Sequence, residues 1–107
     1  MSFKVTVMYP NKLDTVFNME HYLSNHMPLA EKIWGPLGLL KWELVEVVAE
    51  VDGKQSTFSV VNILTWNDGA SYSAALKADD AARIFEYLPL VCNHEPIFVA
   101  GNVVARE

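Results

Sequence analysis

The chain has 107 residues, about half of them apolar, and a formal net charge of −5 from eight basic and 13 acidic side chains. That is the length of one domain, spanning residues 1 to 107, with a modest core. The few scattered Lys and Arg argue against binding nucleic acid or an anionic membrane surface, and no apolar run approaches the 18 or so residues of a membrane span.

The opening stretch "MSFKVTVMYP" alternates apolar and polar residues, which predicts a first strand ending at Pro10-Asn11. It has no apolar signal core with a cleavage site, so a cytoplasmic home is expected. Asn18 is a suitable N-cap, and Phe17 before it is placed to staple onto Tyr22. Met19, Tyr22, Leu23, His26, Ala30 and Ile33 then fall on one side at helical spacing, until Gly35-Pro36 stops the helix. Pro28 fits this helix badly. A proline in a helix interior removes a bond to the carbonyl four residues back, here Ser24, and costs about 3 kcal/mol. It also pushes Met27 from helical geometry. The helix is therefore expected to kink or restart at residues 27–28, with His26 in the last turn of the first piece.

Residues 39 to 51 predict a second strand. Leu40, Trp42 and Leu44 share one parity and Val45, Val47, Ala49 and Val51 the other, which predicts a bulge near Leu44. "VDGK" supplies a hairpin turn through Asp52-Gly53, and residues 57 to 66 a third strand. Asn67 or Asp68 caps a helix over about residues 69 to 77. A short helix over about 80 to 88 turns Ile84, Phe85 and Leu88 inward. Cys92, the lone cysteine, reads as a small buried hydrophobe, and no internal disulfide can form. The last strand covers about residues 96 to 105, with Pro96 tolerated at its start.

The order β-α-β-β-α-β is the ferredoxin-like plan, an α+β fold with helices on one face of a four-stranded antiparallel sheet. The third strand is apolar on both parities, however: Phe58, Val60, Leu64 and Trp66 on one, Val61 and Ile63 on the other. A half-exposed sheet would alternate. A second copy of the chain is therefore expected over the open face, the two sheets closing a barrel with a space between them.

"VTVMYPN" followed by "FNMEHYLSNHMPL" resembles the EthD family of dimeric α+β barrels, in its "YPN" first strand and its "Y-x-x-x-H-M-P-L" helix. "LPLVCNHEP" is similar to the family's segment before the last strand. Nearly the whole chain is covered. This chain has Leu90-Val91-Cys92-Asn93 where other members often carry Asn-Tyr-Thr-Asp, and so no acidic group at that point. The resemblance implies a small homodimer without metal or organic cofactor, and it implicates His26 as the acid or base. It does not name the reaction, since related barrels include lactone isomerases, cyclases, dehydratases, monooxygenases and haem enzymes.

The residues themselves leave two readings of His26 open: a proton-transfer group titrating near neutrality, or a core histidine bonded to a backbone carbonyl. Tyr22 lies one turn earlier on the same face. Asn62 is the large polar residue on the inner parity of the third strand, where a buried amide needs partners. His26, Tyr22 and Asn62 are the catalytic candidates. Tyr9, Trp42, Trp66, Phe58 and Met27 are the substrate-binding candidates, with Trp42 and Trp66 offering an aromatic wall. His94-Glu95 reads as a solvated loop pair. His21 and His26 lie about 140° apart around a helix and cannot share a metal. "HEPIF" lacks the second histidine of a zinc-protease helix, and no phosphate loop or dinucleotide fingerprint occurs.

The sequence thus points to a cofactor-independent lyase or isomerase of the dehydratase, cyclase or decarboxylase type, acting on a small aromatic or polyketide-like oxygenated molecule. Two alternatives stand beside it: a cofactor-free monooxygenase, and a non-catalytic dimeric protein that binds a small ligand.

Overall fold

The computed structural model describes residues 2–49 and 52–106. Strand β1 runs Phe3–Pro10, β2 Leu39–Glu46, β3 Phe58–Trp66 and β4 Ile97–Asn102. They form one antiparallel sheet in the order β2-β3-β1-β4. The helical segments α1 (Met19–His21), α2 (Met27–Trp34), α3 (Gly69–Leu76), α4 (Ala81–Glu86) and α5 (Leu88–Val91) complete it. This is the expected ferredoxin-like α+β plan.

The pleat sorts side chains by parity. Val5, Val7 and Tyr9 of β1 stand opposite Leu64, Asn62 and Val60 of β3, and all six are buried against the helices. The row Leu44–Asn62–Val7–Phe98 crosses all four strands on this face. Asn62 therefore sits mid-sheet among apolar neighbours.

The first helical run is unbroken over residues 19–34 but changes its hydrogen-bond period within it. Asn18 caps it by accepting from the His21 N–H at 3.0 Å. Tyr22–His26 then form a π-turn, in which the Met27 N–H reaches back five residues to the Tyr22 carbonyl. Helix α2 begins at Met27, and Pro28 is in its first turn. Pro28, which has no N–H to give, falls where the wide turn shifts the ladder of helix bonds. In place of the expected kink or restart there is a change of period, and the wide turn is how the chain accommodates the proline.

The wide turn also corrects the predicted stripe. One extra residue in a turn delays the helical phase by one position. Leu23, expected inward, is exposed, and Ile33 is half-buried, while Met27 and Trp34 are buried.

Three further expectations are corrected. The irregularity in β2 falls between Leu39 and Lys41 rather than near Leu44. Trp42 and Leu44 then share the helix-side parity and Val45 the open one, so no slip at Leu44 is needed. The strand ends at Glu46; Val47 still donates to the Ser59 carbonyl, but Val48 and Ala49 do not belong to the strand. Val51, the end of the predicted strand and start of the predicted turn, lies outside the described residues. The turn itself is carried by Gly53, whose φ of 83° suits glycine, and by the Asp52 side chain accepting from the Lys54 N–H. The helix predicted over 80 to 88 is two pieces, α4 and α5, joined at Tyr87.

By register the open face of the sheet carries an apolar row of Val45, Val61, Met8 and Ile97, then a mixed row of Glu43, Ile63, Thr6 and Val99, then Lys41, Thr65 and Lys4. Ile97 and Val99 are each about half exposed. Among the described residues, no helix is long and apolar enough to cross a membrane.

Candidate functional site

Tyr22 and His26 project from the π-turn toward the sheet, with rings stacked 5.0 Å apart and 16° from parallel. The hydroxyl of Tyr22 accepts from Asn62 Nδ2 at 2.7 Å. The same amide nitrogen lies 3.5 Å from Met27 Sδ. Tyr9 meets Tyr22 edge to face at 6.0 Å. Phe17 packs on both tyrosines, at 4.9 and 5.4 Å, as the predicted staple. Tyr9, Tyr22, His26, Met27 and Asn62 thus converge from β1, β3, the π-turn and α2.

They converge on a small apolar cavity of about 30 Å³, completed by Val7, Ala30, Trp34, Leu64, Ile84, Phe85, Leu88 and Phe98. This cavity lies between the helices and the sheet. The space expected between the open faces of two sheets is not where the candidate residues point; inner parity on β1 and β3 means facing the helices.

Among the described residues, three polar atoms around the cavity lack a well-formed hydrogen bond: His26 Nδ1, Asn62 Oδ1, and Tyr9 Oη, which has only a loose contact with the Tyr22 hydroxyl. Buried polar groups are nearly always bonded, and each orphan costs about 1–3 kcal/mol. All three belong to residues that line the void. The core-histidine reading required His26 to bond a backbone carbonyl, and its Nδ1 has no such bond. A void of this size admits about two small heavy atoms, since one water needs roughly 10–15 Å³ on the same measure.

Burial sets the charge states. It lowers the pKa of His26 from 6.5 to about 4, with a further contribution from His21, so the imidazole is neutral at pH 7. Burial raises the Tyr22 phenol against the opposing hydrogen bond from Asn62. Burial also raises Tyr9, helped by Tyr22 beside it. The cavity therefore offers a neutral imidazole and two protonated phenols.

The remaining candidates lie elsewhere. Trp42 is half-buried beside α2, where its indole N–H donates to Glu31 Oε1. Trp66 is fully buried with an unpartnered Nε1, and lines a neighbouring void of about 30 Å³ with Trp34 and Tyr72. Phe58 stands at the irregular end of β3, opposite Pro10, and touches neither void. The aromatic wall of Trp42 and Trp66 does not form as a pair. His21 turns outward, with Nδ1 3.2 Å from Asn25 Nδ2. Among the described residues, no three His, Cys, Asp or Glu side chains converge as metal ligands.

Trp34 and Phe98 were missed as lining residues. The straight-helix phase hid Trp34; strand parity alone, carried through β4, would have placed Phe98 beside Val7. His94 is also more than a solvated loop residue. Its Nε2 lies 2.8 Å from Asp14 Oδ1, and this contact holds the Asp14 carboxyl below its usual pKa. Asn93 clasps the same loop, accepting from the Val16 N–H and donating to the Asp14 carbonyl, both at 2.8 Å.

The sequence matches no protein-family model and no curated relative. Solved structures do match. An EthD-like protein from Ralstonia eutropha superposes with a TM-score of 0.86 at 20% identity, over 99% of this chain and 95% of its own. An ethyl tert-butyl ether D (EthD) family protein from Bacillus halodurans gives 0.76 at 21%, over 97% and 100%. A dimeric ferredoxin-like protein of unknown function from a Jannaschia species gives 0.66 at 15%, over 95% and 98%. Two enzymes share the fold. They are a hydroxynitrile lyase from Passiflora edulis (0.68, 6%, over 99% and 95%) and SnoaB, a cofactor-independent oxygenase from Streptomyces nogalater (0.61, 16%, over 99% and 92%). The chain has the fold of the EthD-like proteins, a ferredoxin-like α+β sheet.

Proposed function

We propose that this chain is a member of the EthD family, working as a cytoplasmic homodimer, and that its helix–sheet cavity moves one proton on a small oxygenated molecule without an organic cofactor. The observation that carries this reading is the set of three poorly partnered polar atoms on residues lining one small apolar void. His26 is the base. It is neutral at pH 7, so its ring accepts a proton from a carbon beside a carbonyl, and the C–H electron pair moves toward the carbonyl oxygen. The phenol of Tyr9 donates to the oxygen as charge develops. Tyr22, already accepting from Asn62, keeps its own proton free to do the same. Such preorganised donors in a dry site stabilise the transition state more than water does. The imidazolium then returns the proton, to another carbon in an isomerisation or to a leaving hydroxide in a dehydration. Met27, Tyr9 and the apolar walls hold the head group against these atoms.

The lyase and the oxygenase that share this fold support catalysis by such a scaffold. The oxygenase reading is kept as the second, because the same base would ionise a phenol before reaction with O₂. It predicts oxygen uptake with an electron-rich phenol, where the lyase or isomerase reading predicts none.

The test is solvent-deuterium exchange on a flat ketone, 1-tetralone, followed by NMR in D₂O. General-base catalysis accelerates exchange roughly 10²- to 10⁴-fold. The native chain is expected to show that acceleration and His26→Phe to lose it. Equal exchange by both proteins contradicts the proposal.

A further inference from the structure

The cavity admits only the oxygen-bearing tip of a head group, so the rest of any substrate has to sit elsewhere. Beside it, on the outer side of α5 and the start of β4, lies an open groove of about 480 Å³. That volume is in the range of small-molecule sites, which the inner cavity is not. Groove and cavity share three wall residues, Phe85, Leu88 and Phe98. The rings of Phe85 and Phe98 meet edge to face at 6.3 Å across this shared wall, and each is more than a third exposed. Phe85 is at the end of α4, and Leu88 opens the four-residue α5. Phe98 is on the edge strand β4. The residues common to the two spaces are therefore three, all on short or edge elements.

We propose that groove and cavity are the two halves of one elongated substrate site, with Phe85 and Phe98 as the gate between them; this deepens the proton-transfer reading and rests on it. The substrate class follows from the lining. Only the oxygen-bearing tip of the head, the hydroxyl of a phenol or the carbonyl of a ketone, passes the rings toward Asn62, Tyr9 and His26. An apolar body lies against Phe85, Leu88, Pro89 and Pro96. The far end meets Glu95 and His94, the latter paired with Asp14. The Asn93 side chain is held in place by its clasp on residues 14–16. With acidic side chains at that end, the far end of the substrate is neutral or cationic.

The test uses phenol, 4-propylphenol and 4-hexylphenol as probes. Two quantities are read by NMR titration: the Kd, and the shift of the Asn62 side-chain amide. All three phenols are expected to move the Asn62 amide, because the head is the same. Each buried methylene is expected to tighten binding up to about fourfold, so hexylphenol binds at least tenfold more tightly than phenol. Pro89→Trp fills the groove from an exposed helical position, and Pro96→Trp fills it from the opposite wall. In whichever folds, as judged by its amide spectrum, the hexylphenol-to-phenol ratio is expected to collapse to within a few-fold. A ratio that survives in a folded variant, or no dependence on tail length in the native chain, overturns the two-part site. If the Asn62 amide still moves in that case, the proton-transfer reading stands. If no phenol moves it, that reading falls and this proposal with it.

Discussion

Replacing Asn62 by leucine separates a functional amide from a structural one. The side chain is fully buried mid-sheet, bonded once through Nδ2 to Tyr22 and unbonded at Oδ1. Leucine has the same branching but is larger, and the adjoining void has room for its methyl groups. The change removes one hydrogen bond, with a net worth of about 1 kcal/mol, and leaves the Tyr22 hydroxyl without its donor, at roughly another 1 kcal/mol. Against this, it removes an orphaned acceptor, worth about 1–3 kcal/mol, and adds apolar burial of about 1.5 kcal/mol or more. The sum is neutral to stabilising by about 1–2 kcal/mol, a rise in Tm of roughly 4–8 °C per kcal/mol for a domain of this size. The assay is urea or thermal unfolding followed by tryptophan fluorescence, alongside deuterium exchange on 1-tetralone. The account predicts unchanged or higher stability together with a tenfold or greater loss of exchange. Loss of more than about 2 kcal/mol of stability would show that the amide is there to hold the fold, and would refute the reasoning.

Other predictions follow from named contacts. The folded pKa of His26, about 4, is below its unfolded value of 6.5. The folded chain therefore binds fewer protons in that window, and its stability falls as the pH drops through it, by up to about 3 kcal/mol. His26→Phe should remove that part of the acid dependence in urea melts at pH 4 and 7; an unchanged difference between the two pH values refutes burial as the cause. For the same reason, the acid limb of kcat/KM should lie well below pH 6.5. Pro28→Ala should change stability by less than about 1 kcal/mol, because Pro28 falls where the wide turn shifts the ladder of helix bonds; a larger change by calorimetry would mean that the π-turn depends on the ring. Val99→Lys, at a half-exposed position on the open sheet face, should turn a dimer into a monomer in sedimentation equilibrium, whereas an unaltered mass would place the contact between copies elsewhere.

Much of the fold is legible in local chemistry. Asn18 caps its helix, Phe17 reaches Tyr22, and Asp68 caps α3 by accepting from the Ser71 N–H. Strand parity is strict enough to put Asn62, Val7 and Tyr9 on one face without any structure. Two features are not legible. A straight-helix period cannot anticipate a π-turn, so Trp34 and Met27 exchange places with Ile33 and Leu23; Pro28 marks where the helical period changes but not by how much. Parity also groups residues on a face without saying which face carries the void. The apolar open face drew attention to a space between two sheets, while the poorly partnered atoms of Tyr9, His26 and Asn62 are all on the helix side. The groove was invisible for a similar reason. It depends on Phe85 and Phe98 meeting across 13 residues of sequence, and on the His94–Asp14 pair closing over a still longer separation.

The central claim is that the helix–sheet cavity receives the oxygen of a small molecule. A crystal structure of the native chain grown with phenol tests it most directly. The account predicts the phenol oxygen inside the cavity, within hydrogen-bond reach of at least two of Tyr9 Oη, His26 Nδ1 and Asn62 Oδ1, with Phe85 and Phe98 displaced from their present contact. Phenol bound only between the open sheet faces, with those three atoms still poorly partnered, would contradict it.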